Sequence, residues 1–405
     1  MPLDTADLAD LRADARAQLP DVAALRHALH RTPEIGLDLP RTQALVLEAL
    51  EPLGLEVTTG TGLSSVVAVL RGARPGPAVL LRGDMDALPV TEDTGEPFSS
   101  EVPGVMHACG HDLHVAGLVG AGRLLAARRD RVAGSVVLMF QPGEEGDHGA
   151  RLMIDEGVLD AAGERVVAAY GLHVLSSLLP TGLVTSRAGT MLAAADTVHV
   201  TVQGRGGHGS MPHLALDPVP VAAEIVLALQ AMVTRQFDVF DPVVVTVGRI
   251  DAGTTDNVIA GTARIEATVR SFSEAAHGVV PERLIRVCEG VAAAHGLTVT
   301  VDYRRGYPVT ANHPGEVERA ARLTRGLFGD RAYQDAPQPL AGSEDFSYVL
   351  QEVPGAYVGV GATLADADPR TAPYNHSAQA RFEDGALAVG PAVLAALALD
   401  RLGDG

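Results

Sequence analysis

Only two cysteines stand in 405 residues, Cys109 and Cys288, and their surroundings differ. A disulfide framework, the device of small secreted domains, is therefore excluded as the organising principle. Cys288 falls in the apolar helical pattern of residues 284–294 and is expected to be a buried core residue. Clusters of Lys and Arg are also lacking, since 31 basic residues face 50 acidic ones for a formal net charge of −19. That balance excludes a phosphate-binding surface, so no nucleic-acid partner is expected, and the surplus charge serves solubility. The chain opens without a basic start and apolar run. Its residues 1–19 carry Asp4, Asp7, Asp10 and Asp14 and read as an exposed tail or short helix, not a secretory signal. The longest nearly apolar run, 385–399, is short for a bilayer span and reads as a packed C-terminal helix. A cytoplasmic, reducing location with no membrane partner is the expectation, and it would keep Cys109 a thiol.

What is present describes a well-packed globular protein: 47% hydrophobic residues with 20% charged. A chain of this length exceeds one ordinary core, so two domains are expected.

The segment Met106-His107-Ala108-Cys109-Gly110-His111-Asp112-Leu113-His114 gathers three histidines, one cysteine and one aspartate within nine residues. Cys109 and His111, two apart, can point at one centre in extended or tightly turning backbone. Thiolate and imidazole are both good ligands for zinc-like metals. Taken alone, the segment also suits a polar helix entrance, with Asp112 near the cap and His107 and His114 solvated.

The pattern around it favours the metal. Helical spacing over 21–30 and 41–53 is followed by strands at 65–70 and 78–82. The second strand runs into Gly83-Asp84-Met85-Asp86-Ala87-Leu88-Pro89, which puts two carboxylates at a strand's carboxyl end, where open α/β sheets place their ligands. A helix follows at 115–128; no strand directly precedes its Gly117, Gly120 and Gly122, so they form no dinucleotide-binding fingerprint. Strand 135–140 runs into Gln141-Pro142-Gly143-Glu144-Glu145-Gly146, and after a helix at 150–156, strand 166–170 runs into Gly171-Leu172-His173. Three consecutive strands thus deliver Asp86, Glu144 with Glu145, and His173 to one sheet edge.

From about residue 187 the order becomes strand 197–203, helix 218–234, strands 243–250 and 264–272, helix 281–295 and strand 297–303. This βαββαβ order is that of a ferredoxin-like sandwich inserted into the first domain. The first domain is expected to resume after 310, with helix 316–328, the loop Gly342-Ser343-Glu344-Asp345-Phe346, strand 356–360, Tyr374-Asn375-His376-Ser377 and the final helix. The expected division is therefore 1–186 and 310–405 around an insert at 187–309.

Five segments in fixed order carry a resemblance that spans residues 25–395. They are the Gly83–Pro89 segment, His107-Ala108-Cys109-Gly110-His111-Asp112, Gln141–Gly146, Gly206-Gly207-His208-Gly209-Ser210-Met211-Pro212-His213, and Asn375-His376-Ser377. Together they resemble the amidohydrolase branch of the dinuclear aminoacylase and carboxypeptidase metallopeptidases, which includes hippurate and auxin-conjugate hydrolases. The resemblance implies an α/β fold: a zinc-peptidase-like catalytic domain with an open mixed sheet covered by helices, and an inserted ferredoxin-like lid that also makes a homodimer. It implies two divalent metal ions held by Cys109, His111, Glu145, His173 and His376, with Cys109 as the bridge. Five protein ligands would leave positions open for water and substrate.

Where related peptidases carry His-x-Asp, Asp84 takes the histidine's place here. Asp84 is therefore left out of the ligand set, and Asp86 is given the role of orienting a ligand imidazole. Glu144 matches the general base. His208 matches a histidine that stabilises the tetrahedral oxyanion, in cis or from a partner subunit. His213 is peripheral. Asn257 and Arg270 match residues that hold the substrate's α-carboxylate, although Arg270 also suits an ordinary salt bridge within the lid.

The expected activity is hydrolysis of N-acyl amino acids, acetyl, benzoyl or similar. Zinc, manganese, cobalt and nickel all suit the mixed donor set. Three alternatives stand beside it: a dipeptidase or carboxypeptidase of the same fold, a non-catalytic metal or ligand sensor, and a cysteine hydrolase pairing Cys109 with His111.

Overall fold

The computed structural model describes residues 3–403; Met1 and Pro2 of the expected N-terminal tail lie outside the described residues, as do Asp404 and Gly405. Short apolar runs rich in Val, Leu and Ala, punctuated by glycine and proline, form most of the strands. In chain order they are β1 (Glu56–Thr59), β2 (Val66–Arg71), β3 (Arg74–Asp84), β4 (Ala133–Gln141), β5 (Ala168–Pro180), β6 (Val184–Ser186), β7 (Gly189–Leu192) and β8 (Ala194–Gln203). There follow β9 (Gly207–His208), β10 (Val243–Ala252), β11 (Val258–Ile259), β12 (Thr262–Ser271), β13 (Thr298–Tyr307), β14 (Thr310–Asn312), β15 (Tyr333–Asp335) and β16 (Gly355–Thr363). The chain divides into two compact units, one of Met1–Gly189, Ala311–Pro337 and Tyr348–Gly405, the other of Thr190–Thr310 and Gln338–Ser347.

The first unit is built on an eight-stranded mixed sheet in the order β1-β2-β4-β3-β5-β16-β6-β15. Its centre is parallel, with β3 between β4 and β5 and β16 beyond, so the carboxyl ends of four neighbouring strands share one edge. These strands are buried on both faces, which is why they read as unbroken apolar runs. Helices His111–Ala126 and Gly390–Leu402 are apolar all round and almost wholly buried, and they pack on each other and on β3.

Two segments, Pro218–Gln236 and Asp384–Leu402, are long and apolar enough to cross a membrane by length and composition. The second is the core helix just described with the turn before it. The first buries a stripe of Val221, Ala222, Ile225, Leu229 and Met232 in the second unit.

Of the two readings of the N-terminal stretch, the short helix is the one found, and two element bounds are corrected. Thr5–Ala17 is a helix with a capping box between Asp4 and Asp7, and Leu8, Leu11 and Ala15 recur at helical spacing to join the core while Asp4, Asp10 and Asp14 stay outside. The metal-motif helix starts at His111, not at residue 115. His173 lies within β5 instead of beyond its end, because that strand continues to Pro180.

The second unit carries a four-stranded antiparallel sheet, β10-β12-β8-β13, with helices Pro218–Gln236 and Glu274–Ala294 packed on it. This is the βαββαβ ferredoxin-like arrangement, and burial alternates along β8 and β12 as a one-sided sheet requires. Cys288 is buried in its core. Segment Gln338–Ser347, with the Gly342–Phe346 loop, belongs to this unit.

Beneath the sheet, Asp196 accepts hydrogen bonds from the Tyr303 hydroxyl at 2.6 Å and the Gly306 N–H at 3.0 Å, and His277 Nε2 lies 3.1 Å away. Hydrogen bonding to Asp196, with the Glu274 carboxylate 3.7 Å from Nδ1, raises the His277 pKa from its ordinary 6.5 to about 9. The folded state thus keeps a proton that the unfolded chain releases near its ordinary pKa. The stabilisation is full below about pH 6.5 and is lost as pH rises through about 9. Thermal melts between pH 6 and 10 should show the midpoint falling across this window, with a shallower fall in His277→Gln; an unchanged slope in the variant would refute the assignment.

Candidate metal centre

At the carboxyl edge of the first unit's sheet, the turns after β3 and β4 are tied together. The Asp86 carboxylate accepts the backbone N–H of Glu144 at 3.0 Å on one oxygen and that of Glu145 at 2.9 Å on the other. The expected contact of Asp86 with an imidazole runs through its backbone. The backbone carbonyl of Asp86 accepts from His111 Nδ1–H at 2.9 Å, while the nearest carboxylate oxygen stands 3.6 Å off. That bond fixes the His111 tautomer and leaves Nε2 facing the site. His111 is the first residue of its helix because Gly110 turns the chain at φ +86°; a Cβ there would come within 2.6 Å of Val174.

Cys109 is the meeting point of two donor groups. Cys109, His111 and His173 form one, and Cys109, Glu145 and His376 form the other, with the ligand atoms of each within 4.8 Å of one another. Its Sγ lies 3.3 Å from His173 Nε2 and 3.3 Å from His376 Nε2. His173 Nδ1–H donates to the Val174 carbonyl at 2.8 Å, which turns the Nε2 lone pair toward the sulfur. Burial pushes the Cys109 thiol up to about 12 and the His173 imidazole well below its ordinary value. His376 has a left-handed backbone, φ +73°, held by its N–H donating to the Ala108 carbonyl at 2.8 Å. Glu144 is buried, and one of its oxygens joins His111 and Glu145 in a further group within the same 4.8 Å.

Two atoms at this centre are buried without a hydrogen bond, His111 Nε2 and Glu145 Oε1. Carboxylate oxygens of Asp84 and Glu145 stand 3.5 Å and 4.0 Å from the first, and His376 Nε2 stands 3.2 Å from the second without hydrogen-bond alignment. Burial opposes charge on both groups, yet Asp84 holds the His111 pKa well above its ordinary value and His376 with His111 holds that of Glu145 below. Unsatisfied polar atoms around a sulfur, with imidazole and carboxylate ligand atoms converging on it, fit divalent cations, which would take the place of the His111 proton.

Behind these donors lies a shell of buried charge. Asp84 is committed on both oxygens, to His114 Nδ1 at 2.5 Å and to Arg82 Nη1 at 2.6 Å, and with His111 and His114 it forms a further buried group whose ligand atoms lie within 4.8 Å of one another. His114 Nε2 accepts the Val174 N–H at 2.9 Å, so the ring is neutral with its proton on Nδ1 toward Asp84. Asp112 Oδ2 accepts from Arg26 Nε at 3.0 Å and His30 Nδ1 at 2.9 Å. Neither His107 nor His114 is solvated, as a polar helix entrance would have them. Both are buried, and His107 has no hydrogen bond on either ring nitrogen.

The second unit holds the remaining predicted residues. His208 lies on β9, paired with β11, and the Gly209 N–H donates to the Asn257 carbonyl at 2.8 Å, so His208 and Asn257 are neighbours. Ser210 donates to His208 Nδ1 through its N–H at 3.1 Å, with its Oγ 2.9 Å from the same atom. Nδ1 is therefore the acceptor and Nε2 carries the proton. Arg270 on β12 places Nη1 3.4 Å from Ser343 Oγ and forms no ion pair among the described residues. His213 sits in an exposed turn. Sequence reasoning passed over His114 and Asn375, whose roles need the fold: Asn375 lies beside His376 in a quoted segment, but nothing local shows what its amide reaches.

Residues 80–400 match the model for peptidase family M20/M25/M40. Thermostable carboxypeptidase 1 of Saccharolobus solfataricus is 37% identical over 87% of this chain and 88% of its own. N-acetyl-L-cysteine deacetylase of Bacillus subtilis is 35% identical over 83% and 79%, and IAA-amino acid hydrolase ILR1-like 2 of Arabidopsis thaliana 36% over 93% and 84%. Among solved structures, a dinuclear metal-binding M20-family peptidase of Bacillus subtilis superposes with a TM-score of 0.82 at 31% identity, covering 96% of this chain and 99% of that one.

Because Cys109 is common to both donor groups and His376 belongs to one, their removal should differ. Cys109→Ala is expected to abolish stoichiometric cobalt binding, and His376→Ala to remove about half of it. Metal content after gel filtration checks this; two equivalents retained by Cys109→Ala would refute the shared-sulfur assignment.

Proposed function

This chain belongs to peptidase family M20/M25/M40, is a hydrolase of amide carbon–nitrogen bonds, and, we propose, cleaves N-acyl amino acids with two divalent cations held by Cys109, His111, Glu145, His173 and His376. The observation that carries the reading is the pairing of Glu144 with Glu145. Asp86 holds both backbones, Glu145 lies in the Cys109 and His376 group, and Glu144 keeps an oxygen within reach of His111. Bound cations would acidify water and polarise the amide carbonyl. Glu144 takes a proton as the water oxygen attacks the carbonyl carbon, and returns it to the departing amine nitrogen. Neighbouring carboxylates with separate tasks need separate positions, and the two N–H bonds to Asp86 supply them.

In the second unit, His208 with its proton on Nε2 is fitted to donate to the developing oxyanion. Arg270 and Asn257 take the α-carboxylate, and a guanidinium without a carboxylate partner among the described residues supports that role. This unit is also the lid and the homodimer contact of the proposal. Its edge strand β10 exposes Val244 and Ile250, and helix Pro218–Gln236 exposes Val219 and Leu227. Sedimentation at micromolar concentration should then give twice 42.0 kDa; a monomer would refute the contact.

A nucleophilic Cys109 is disfavoured, because burial pushes the thiol up to about 12 where a nucleophile needs a thiolate at neutral pH. The carboxypeptidase relative favours a second reading, removal of a C-terminal residue from peptides. Release of free amino acid from N-acetyl and N-benzoyl amino acids and from dipeptides, by chelated protein before and after adding zinc, manganese, cobalt or nickel, separates the two. Turnover of dipeptides alone would select the second reading. Glu144→Gln is expected to keep its cations and lose on the order of 10²–10⁴ in kcat; metal loss in this variant would mean that Glu144 and Glu145 have exchanged roles.

A further inference from the structure

Asn375 has no part in the chemistry above, yet every hydrogen-bonding position of its buried carboxamide is used. Oδ1 accepts the Ser176 N–H at 3.0 Å and shares the Ser176 hydroxyl, 3.0 Å away, with the Pro373 carbonyl at 2.8 Å; Nδ2 donates to the Cys109 carbonyl at 3.0 Å and the Val174 carbonyl at 3.0 Å. One planar group therefore spans three segments that are distant in sequence, and each carries a candidate ligand: Cys109 itself, His173 next to Val174, and His376 next to Asn375. The Val174 carbonyl also receives His173 Nδ1–H, so the atom that sets the His173 tautomer is the atom Asn375 grips. His376 follows in a left-handed backbone that a non-glycine residue adopts only when its surroundings over-determine it.

Resting on the metal reading above, we infer that Asn375 is a positioning residue that fixes the spacing of the Cys109, His173 and His376 backbones so that one sulfur faces both imidazoles. A carboxamide suits the task because it offers two donors to carbonyls on one side and an acceptor on the other in a single rigid plane. Aspartate has the same shape but would set an oxygen against the two carbonyls. Alanine would release all three segments.

The test uses the full-length protein loaded with cobalt, whose absorption reports thiolate ligation directly and without turnover. Asn375→Asp is expected to weaken cobalt binding at least tenfold in chelator competition and to shift or diminish the thiolate-to-cobalt charge-transfer band. Asn375→Gln, with the same groups on a longer arm, should not restore it. Leu284→Ala, in the second unit's core, serves as a control for general destabilisation and should leave affinity and band unchanged at a comparable fall in melting temperature.

If Asn375→Asp does not fold, Ser176→Ala removes one anchor of the same amide and should show a smaller loss, about threefold. Wild-type affinity and an unaltered band in the folded Asn375→Asp protein, or in Ser176→Ala where that is the variant that folds, would overturn the positioning role while leaving the functional reading intact. Absence of any thiolate band in the wild-type protein would overturn both.

Discussion

One sulfur facing two imidazole nitrogens, each at 3.3 Å, is the arrangement on which the rest of the first unit depends. A thiol has one proton and can satisfy one of the two rings. Buried away from water it also resists ionisation, so by itself it is a poor partner for either. Cations on both sides would convert it into an anion with two partners, and would then use His173, His376 and Glu145 together. The fold serves this requirement. Parallel packing of β3, β4, β5 and β16 puts four strand ends on one edge, and the turns beyond them bring together residues as far apart in sequence as 109 and 376.

Such convergence concentrates like charge, and the surrounding shell relieves it. Asp84 sits wholly buried beside His111. Burial alone would drive its carboxyl to the neutral form, but Arg82, then His111 and His114, hold its pKa well below the usual range. Asp112, next in sequence to His111, is held ionised against burial by Arg26 and His30 in the same way. A buried ion pair is a weak source of net stability, since desolvation offsets most of its attraction. Its use here is directional: Arg82 and His114 engage the two oxygens of Asp84, and Arg26 and His30 share one oxygen of Asp112.

Much of this was legible in the sequence because it depends on spacing along strands. Apolar runs ending in Gly83–Pro89, Gln141–Gly146 and near His173 locate the sheet edge, and the βαββαβ order locates the second unit. What was illegible depends on side chains reaching across the chain. Asp86 was expected to orient an imidazole; that its carboxylate binds two amides while its backbone carbonyl takes the imidazole is seen only in the fold. His114 looked like a solvated residue of a polar helix entrance. Once the helix begins at His111, its fourth residue is turned onto β5 and meets the Val174 amide. Acidic spacing at the N-terminus left an exposed tail and a short helix both open, and Leu8, Leu11 and Ala15 between those acids decide for the helix by making the stripe that joins the core.

The same geometry links occupancy to stability. Without cations, His111 Nε2 and Glu145 Oε1 remain buried and unsatisfied, at about 1–3 kcal/mol each, and the left-handed His376 adds a cost of the same order. These costs fall on the first unit, whose helices Gly390–Leu402 and His111–Ala126 bury enough apolar surface to bear them. Cations that bind the folded unit alone recover part of this cost and stabilise by about 2.7 kcal/mol at a hundredfold excess over the dissociation constant. The second unit's aliphatic core contains none of those donors, and its stability follows apolar burial and the proton held between His277 and Asp196. Metal level therefore acts on the first unit alone, while pH acts on both: through His277 and Asp196 in the second, and in the first through His30, whose imidazole Asp112 raises to about 9 against burial.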